Sequence, residues 1–462
     1  MSSELRRRLA QAGGTVPENW TVVSLETLLR DNKSIAVGVM YPGPDTPGGI
    51  PLIKVGDIKG GVVHQAPTYC ISPETNQEYK RTQLEGDELL ITLVGSPGEC
   101  VIVQPHMKGW NPARAIAVLR LSNPSLRTYL KTVLESSASK HLIDAVLNTT
   151  VQKTLNLKDV RQLPIPLPHQ ATIEEISAVS EALTDRITLL RETNATLEAI
   201  AQALFKSWFV DFDPVRAKAE GRQPEGMDAA TAALFPDSFE ESELGLVPKG
   251  WSELPLKDLC SFQKGCSYKG DGLSESQGAY MFNLGCFNEP RTFAFEKVKR
   301  YVGGFKSKHQ VEAGDLILAN TDMTQQRNIL GRPLLVPERM CPGFVSHHVF
   351  KVCLDRMYGE ELKYYLFYSF QQTGFRERAV GYATGTTVLA LPRDALEEHC
   401  VVLPPKVLMA EFADVCTSLL RAVHNNEERA KNLVQVRETL LPRLISGQLR
   451  LPDADALLEA AS

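Results

Sequence analysis

The features that would place this chain in a membrane or outside the cell are missing from its 462 residues. No apolar run approaches the roughly 18–20 residues that cross a bilayer. The start, MSSELRRRLAQAGG, has three arginines without an apolar core after them, so we expect no secretory signal. The nine cysteines form no Cys-x-x-Cys pair, which favours a reducing cytoplasm and argues against a disulfide framework or a zinc site.

Catalytic signatures are missing as well. There is no phosphate loop of the form G-x-x-x-x-G-K-[ST], no G-x-G-x-x-G, and no Asn-Pro-Pro-aromatic motif of an amino-methyltransferase. The pair His347-His348 lies in FVSHHVFKV, which reads as a strand; adjacent residues of a strand point to opposite sides, so we expect packing or binding there and no metal site. The sequence therefore predicts a chain without its own catalytic site.

The charge is small and unevenly distributed. The formal net charge is −5, made up of +3 for residues 1–168, −8 for 169–249, +1 for 250–405 and −1 for 406–462. Two slightly basic regions thus flank an acidic one. An excess this weak is compatible with a nucleic-acid face and also with an ordinary neutral surface.

The chain repeats itself at an offset close to half its length. Five short stretches return in the same order: VPENW (16–20) as VPKGW (247–251), LIKVGDI (52–58) as MFNLGCF (281–287), Gly-Asp (86–87) as Gly-Asp (314–315), TTV (149–151) as TTV (386–388), and LP (167–168) as LP (403–404). The offset drifts only from 228 to 237, so we infer a duplication with short loop insertions. We interpret the Trp of each VP-x-x-W as an apolar residue that packs at the domain entrance, not as a base-stacking group.

Two long helices follow the two copies. With Ile173 as position a, apolar residues recur every 3.5 residues over five heptads, and the same frame returns from Met409. About 37 residues at 1.5 Å each make a rod of roughly 55 Å, longer than one domain needs, so we expect the helices to pack on each other, antiparallel. Two ordinary amphipathic helices are the other interpretation. The predicted seam consists of Ile187, Asn194, Leu197, Val423, Asn426 and Leu433. The two asparagines either fix the register or are tolerated by solvent.

Two polar segments stand out in each copy. NTDMTQQRN (320–328) lies between the strand-like runs GDLILA and GRPLLV, and its counterpart in the first copy is LVGSPGE (93–99). Asn and Gln pair with adenine edges and Arg pairs with guanine, whereas a solvated loop is the plain alternative. TTV, preceded by GYATGT in the second copy, reads as a Gly-rich turn that holds phosphate or caps a helix.

These motifs resemble the specificity subunit of Type I restriction-modification enzymes. The resemblance covers nearly the whole chain: V-P-x-x-W, G-D-x-L-I, T-T-V and L-P-x-P in tandem, a long helix after each copy, and the string ALFKSWFVDFDPVRAKAEGR (203–222). It implies a mixed α/β (α+β) fold with two duplicated target-recognition domains separated by two long antiparallel coiled-coil helices, with pseudo-twofold symmetry. The expected segments are the first domain (1–168), the central helix (169–210), a partly ordered connector (211–246), the second domain (247–405), the C-terminal helix (406–448) and a tail (449–462).

The resemblance also implies function. Each domain would read one half of a bipartite DNA target, and two methyltransferase subunits would dock on the helices. Two ATP-dependent restriction subunits would join for cleavage. S-adenosylmethionine, ATP and Mg²⁺ would bind the partners, with no cofactor in this chain. From chemistry and position we select as DNA-contacting residues Ser96, Arg114, Lys153, Asn320, Thr321, Gln325, Gln326, Arg327, His347, Thr386 and Thr387. A coiled-coil protein-interaction adaptor without sequence-specific DNA binding is the alternative.

Overall fold

The computed structural model describes residues 2–63, 66–147, 153–243, 245–287, 294–323 and 327–449. Unit 1 comprises residues 1–192 and 426–462, and unit 2 comprises residues 193–425. Each long helix therefore contributes residues to both units.

The helices are numbered along the chain. They are α1 Ser2–Gln11, α2 Pro73–Glu78, α3 Arg127–Leu134, α4 Ser137–Val146, α5 Leu157–Arg161, α6 Gln170–Phe209, α7 Asp213–Ala219, α8 Ala229–Ala233, α9 Glu360–Ser369, α10 Thr373–Gly381, α11 Arg393–Glu397 and α12 Lys406–Ile445.

The strands of unit 1 are short. They are β1 Thr21–Ser24, β2 Ile35–Val37, β3 Ile50–Ile53, β4 Ile58–Lys59, β5 Val62–Val63, β6 Cys70–Ile71, β7 Leu89–Thr92, β8 Cys100–Ile102, β9 Asn111–Pro112, β10 Ile116–Leu119 and β11 Pro164–Leu167. The central sheet has the order β2-β10-β7-β8. All four residues of β7 and of β10 are buried, as expected for apolar runs covered on both faces.

Unit 2 contains a second set of strands. They are β12 Phe239–Ser242, β13 Gly245–Pro248, β14 Ser252–Pro255, β15 Cys260–Lys264, β16 Leu273–Ser274, β17 Ala279–Phe282, β18 Lys299–Tyr301, β19 Gln310–Val311, β20 Leu316–Ala319, β21 Thr321–Asp322, β22 Pro333–Leu335, β23 Gly343–Val345, β24 Val349–Leu354, β25 Leu389–Ala390 and β26 Cys400–Leu403.

The central sheets of the two units share one topology. The central sheet of unit 2, in the order β15-β24-β20-β22, matches β2-β10-β7-β8 of unit 1 strand for strand. The antiparallel pair β14-β26 matches β1-β11, and the parallel pair β17-β23 matches β3-β9. Duplication of the sequence is thus duplication of a fold, and the prediction of a mixed α/β chain with two such domains is confirmed.

The long helices pair in opposite directions inside each unit. In unit 1, Ile173 and Ile176 near the start of α6 belong to the same buried core as Leu441 and Leu444 near the end of α12. In unit 2, Phe205 near the end of α6 lies 5.6 Å, ring to ring, from Phe412 near the start of α12. Antiparallel pairing is therefore seen within each unit.

The tryptophans of the VP-x-x-W motifs are core residues. Trp20 is 9% exposed and Trp251 is 5% exposed. Trp251 packs edge-on against Phe212 at 5.6 Å. Their interpretation as apolar packing residues is confirmed.

The connector is more ordered than the sequence indicates. It forms α7, α8 and the β12-β13 hairpin, and Phe212, Val215 and Phe235 bury their side chains in the core of unit 2. These three side chains contact apolar residues far along the chain. Those contacts stabilise the connector although its Pro, Gly and acidic residues disfavour regular structure.

Two expectations about the whole chain can be compared with the structure. None of the nine cysteines, all of which lie among the described residues, forms a disulfide bond. Among the described residues, no helix combines the length and apolar character needed to cross a bilayer.

Candidate nucleic-acid interface

Three segments meet at the carboxyl end of β7 in unit 1. The Leu93 N–H donates to the Ala115 carbonyl at 2.7 Å, and the Leu155 N–H donates to the Leu93 carbonyl at 2.8 Å. These bonds join the loop after β7 to the turn between β9 and β10 and to the segment before α5. Backbone hydrogen bonds therefore fix the relative positions of all three.

The same three segments meet at the carboxyl end of β20 in unit 2. The Asn320 N–H donates to the His348 carbonyl at 3.0 Å, and the Leu391 N–H donates to the Asn320 carbonyl at 2.8 Å. Asn320 therefore corresponds to Leu93 and His348 to Ala115. It follows that Arg114 and His347, each one residue earlier, occupy equivalent positions.

The residues selected from the sequence fall on these segments. Ser96 lies in the loop after β7, Arg114 in the β9-β10 turn and Lys153 in the segment before α5, and all three are exposed. Neither the Arg114 guanidinium nor the Lys153 ammonium has a hydrogen-bond or ion-pair partner among the described residues. Unit 1 thus presents two unneutralised cations at one edge of its sheet.

In unit 2, four of the selected residues lie at the corresponding edge. Asn320 and Thr321 are buried, whereas Thr386 and Thr387 are exposed in the turn of a hairpin closed by Thr384 and Ala390. The GYATGT turn expected from the sequence is present.

The polar segment NTDMTQQRN (320–328) is only partly described. Arg327 is exposed, has a positive φ of 55°, and its carbonyl accepts from the Arg376 side chain at 3.3 Å. Gln325 and Gln326 lie outside the described residues, as do the first-copy residues TTV (149–151).

The expectation that His347 and His348 lie in one strand is wrong. They form the turn between β23 and β24, and their ring centroids are only 3.7 Å apart. The His348 Nδ1 and the Thr321 hydroxyl are 2.9 Å apart. Burial, and then the nearby Lys264 cation, lower the pKa of His347; the pKa of His348 is lowered by burial, by His347 and by Lys264. Both rings are therefore biased towards the neutral form.

Buried polar atoms without partners lie beside this turn. The Asn320 Nδ2 donates to the His347 carbonyl at 3.2 Å, but the Asn320 Oδ1, the Ser346 Oγ and the His347 Nδ1 have no partner among the described residues. An unsatisfied buried polar atom costs about 1–3 kcal/mol. Such atoms suit a site that completes its hydrogen bonds with a ligand or water.

A cleft adjoins the same edge of unit 2. It has a volume of about 590 Å³, and Gln263, Lys264, Thr384 and Arg393 are among its lining residues. Hydrogen-bond donors and cations thus line both the turn and the cleft beside it.

An aromatic loop in unit 1 was missed by the sequence reasoning. Tyr41 follows β2 and is 78% exposed. It lies two residues after Val39, whose carbonyl accepts the Arg114 N–H at 2.9 Å. The only sequence signal is the Pro- and Gly-rich run MYPGPDTPGG, which predicts a loop and not an exposed ring.

The opposite edge of the unit 1 sheet is internally neutralised. Three carboxylates, of Glu85, Asp87 and Glu88, lie close enough to hold a cation. Glu88, however, accepts the N–H groups of Glu85, Gly86 and Asp87 and pairs with Arg120 at 3.2 Å. These internal partners account for the cluster without a metal ion.

The predicted seam residues are buried or half-buried in the long helices. Ile187, Asn426 and Leu433 belong to unit 1, and Asn194, Leu197 and Val423 belong to unit 2. The Asn194 Nδ2 donates to the Val423 carbonyl at 3.1 Å, so this asparagine has a partner on the facing helix.

Known proteins resemble this chain over much of its length, although no family model matches it. It is 25% identical over 341 residues to the Type I restriction enzyme HindI specificity subunit of Haemophilus influenzae, covering 64% of this chain and 71% of the relative. It is 30% identical over 211 residues to the EcoBI specificity subunit of Escherichia coli, covering 41% of this chain and 42% of the relative.

Among solved structures, an S subunit is similar to this chain in fold. The Type I restriction-modification S subunit from M. genitalium matches with a TM-score of 0.51 at 14% identity, covering 92% of this chain and 96% of that one.

Proposed function

We infer that this chain, a homologue of Type I restriction enzyme specificity subunits, recognises a bipartite DNA sequence within a restriction-modification complex. Each unit reads one half-site. The observation that carries this proposal is the pair of equivalent sheet edges, where the same three segments meet but present different side chains, Arg114 in one unit and His347 in the other. One scaffold with different groups at the same position suits two half-sites of different sequence.

The catalytic steps belong to partner subunits in this proposal. Two methyltransferase subunits dock on the α6-α12 pair and transfer the methyl group of S-adenosylmethionine to adenine N6. Two ATP- and Mg²⁺-dependent restriction subunits join for cleavage where the system includes them. The support is the absence of nucleotide and methyltransferase motifs from the sequence together with the names of the relatives.

Reconstitution tests this function. The chain is purified with its proposed methyltransferase partner, and methyl transfer to adenine is measured on a pool of duplexes of random sequence. We expect methylation confined to a bipartite subset when both proteins are present, and none with the chain alone. Methylation by the chain alone would refute a non-catalytic role. Equal methylation of all duplexes would favour the alternative function, a protein-interaction adaptor without sequence-specific DNA binding. The names of the relatives do not favour that alternative.

A further inference from the structure

We propose that Arg114 and Tyr41 form the base-reading element of unit 1, and that Arg114 reads a guanine in its half-site. The proposal rests on the function above and assigns a base and two residues to one of its half-sites.

Arg114 combines a fixed backbone with an unpartnered side chain. Its N–H donates to Val39 at 2.9 Å, and the neighbouring Ala115 carbonyl accepts from Leu93 at 2.7 Å, so the main chain is held on both sides. The guanidinium is exposed and has no partner among the described residues. At the other edge of this sheet, by contrast, Arg120 pairs with Glu88 and donates to the Arg81 carbonyl. An unneutralised guanidinium carried on a fixed backbone can reach the two acceptors of guanine, O6 and N7.

Tyr41 lies on a loop that is held in place. The Tyr41 N–H donates to the Tyr79 hydroxyl at 3.3 Å, and the Tyr69 hydroxyl donates to the Gly43 carbonyl. Asp45 accepts the Cys70 N–H at 2.9 Å. A loop fixed in this way loses little conformational entropy on binding. It nevertheless leaves the Tyr41 side chain 78% exposed beside Met40, which is 38% exposed. This apolar surface suits a thymine methyl group or a sugar next to the guanine.

Unit 2 uses the same two positions differently. The bridge between Val39 and Ala113 corresponds to the bridge between Cys266 and Ser346, so Tyr268 corresponds to Tyr41 and His347 to Arg114. The Tyr268 ring is half-buried and lies 6.3 Å from His347 and 6.2 Å from Tyr301. A neutral imidazole packed near a tyrosine offers no two-pronged donor. Guanine reading at this position is therefore specific to unit 1.

The test maps adenine methylation across the genome of a host that carries the chain and its methyltransferase. Arg114→Lys keeps the positive charge but loses the two parallel N–H donors of the guanidinium. Arg114→Ala loses both the charge and the donors. We expect each to make one guanine position of one half-site degenerate, with a loss of preference of roughly 5- to 150-fold, the range of a single bidentate contact. The other half-site stays unchanged. Tyr41→Ala is expected to lower the methylated fraction of sites at least several-fold.

Lys33→Ala is the matched control. Lys33 is an exposed cation of the same unit that precedes β2, whereas Tyr41 follows β2. Lys33→Ala therefore removes one charge at the other end of that strand. We expect it to leave the methylation pattern unchanged. Thermal unfolding of each purified complex confirms that the variants fold.

Three outcomes separate the claims. An unchanged motif in both Arg114 variants overturns guanine reading, and a uniform fall in methylation confined to Arg114→Ala then identifies a phosphate contact. An unchanged methylated fraction in Tyr41→Ala overturns the part assigned to Tyr41. A wild-type complex that methylates without any bipartite motif refutes the proposed function instead.

Discussion

At the scale of single residues, Gly38 and Gly265 show how the duplicated fold constrains the interface. They follow the equivalent strands β2 and β15, where the main chain passes very close to a neighbouring strand. A Cβ on Gly38 would lie 2.0 Å from the Pro112 carbonyl oxygen, and one on Gly265 would lie 2.2 Å from that of Ser346. These backbone atoms belong to the segments that carry Arg114 and His347.

Alanine at either glycine should therefore destabilise its own unit. We expect Gly38→Ala and Gly265→Ala each to lower the free energy of unfolding by about 1–3 kcal/mol, because backbone must move to admit the methyl group. Urea denaturation measures the change. Gly304→Ala is the control, since nothing lies within 4 Å of its added Cβ. Wild-type stability in both variants would show that the close approach is not rigid.

His399 gives unit 2 a defined response to acid. Burial, and then the Arg378 charge, lower its pKa from 6.5 to about 4, and its ring packs edge-on against Phe375 at 5.3 Å. Between these pH values the unfolded chain binds the proton and the folded chain does not, so the free energy of unfolding falls as the pH decreases from about 6.5 to 4. Above about pH 6.5, His399 causes no change of the free energy of unfolding with pH.

Replacing His399 should flatten this dependence. The urea midpoint of His399→Gln, measured from pH 4 to 8, is expected to fall less steeply than that of the wild type below pH 6.5. Parallel curves for the two proteins would show that His399 does not contribute.

At the scale of elements, an aromatic cluster holds the α6-α12 pair within unit 2. Phe412 of α12 lies 5.6 Å from Phe205, 6.0 Å from Trp208 and 5.2 Å from Phe209, all on α6. It also lies 5.5 Å from Tyr368 of α9. The string ALFKSWFVDF thus supplies the apolar contacts by which the end of α6 joins the core.

Phe412→Ala should lower the free energy of unfolding by about 3–5 kcal/mol, because removing a large buried aromatic side chain leaves a cavity. Val407→Ala on the same helix is the control, because Val407 is 57% exposed and its truncation should change stability by about 0.5 kcal/mol or less. Denaturation of both variants measures the contrast. Equal, small effects would mean that the cluster does not support the helix pair.

Elements with a strong periodic or repeated signal were predictable from the sequence. The heptads at 169–210 and 406–448 correspond to helices at 170–209 and 406–445, and the duplicated strands follow from stretches repeated in order. The His347-His348 turn was not predictable, because the apolar residues on both sides of it read as one continuous strand. The connector's order depends on Phe212 and Phe235 reaching a distant core, which local composition does not reveal.

The candidate site was predictable in type more than in detail. Asn and Thr after a buried strand indicated a polar segment there, and Asn320 and Thr321 contact the His347-His348 turn. The equivalence of Arg114 and His347 depends on strand register, and the exposure of Tyr41 depends on how its loop is held. Neither property can be predicted from the spacing of residues in the sequence.

At the scale of the whole molecule, duplication suits the proposed function, in which the DNA target has two parts. Each unit carries the same sheet order and the same meeting of three segments, yet different side chains occupy matched positions. A duplicated scaffold with independent side chains can read two unrelated half-sites. The relatives are named as specificity subunits.

Genome-wide mapping of N6-methyladenine tests that account most directly. The wild-type chain is expressed with its methyltransferase in a host that lacks adenine methylation. We predict a single asymmetric motif of two short half-sites separated by a fixed gap of unspecified bases, present only when both genes are expressed. A contiguous motif, or methylation without sequence preference from an intact complex, would contradict the claim that each unit reads one half of the target.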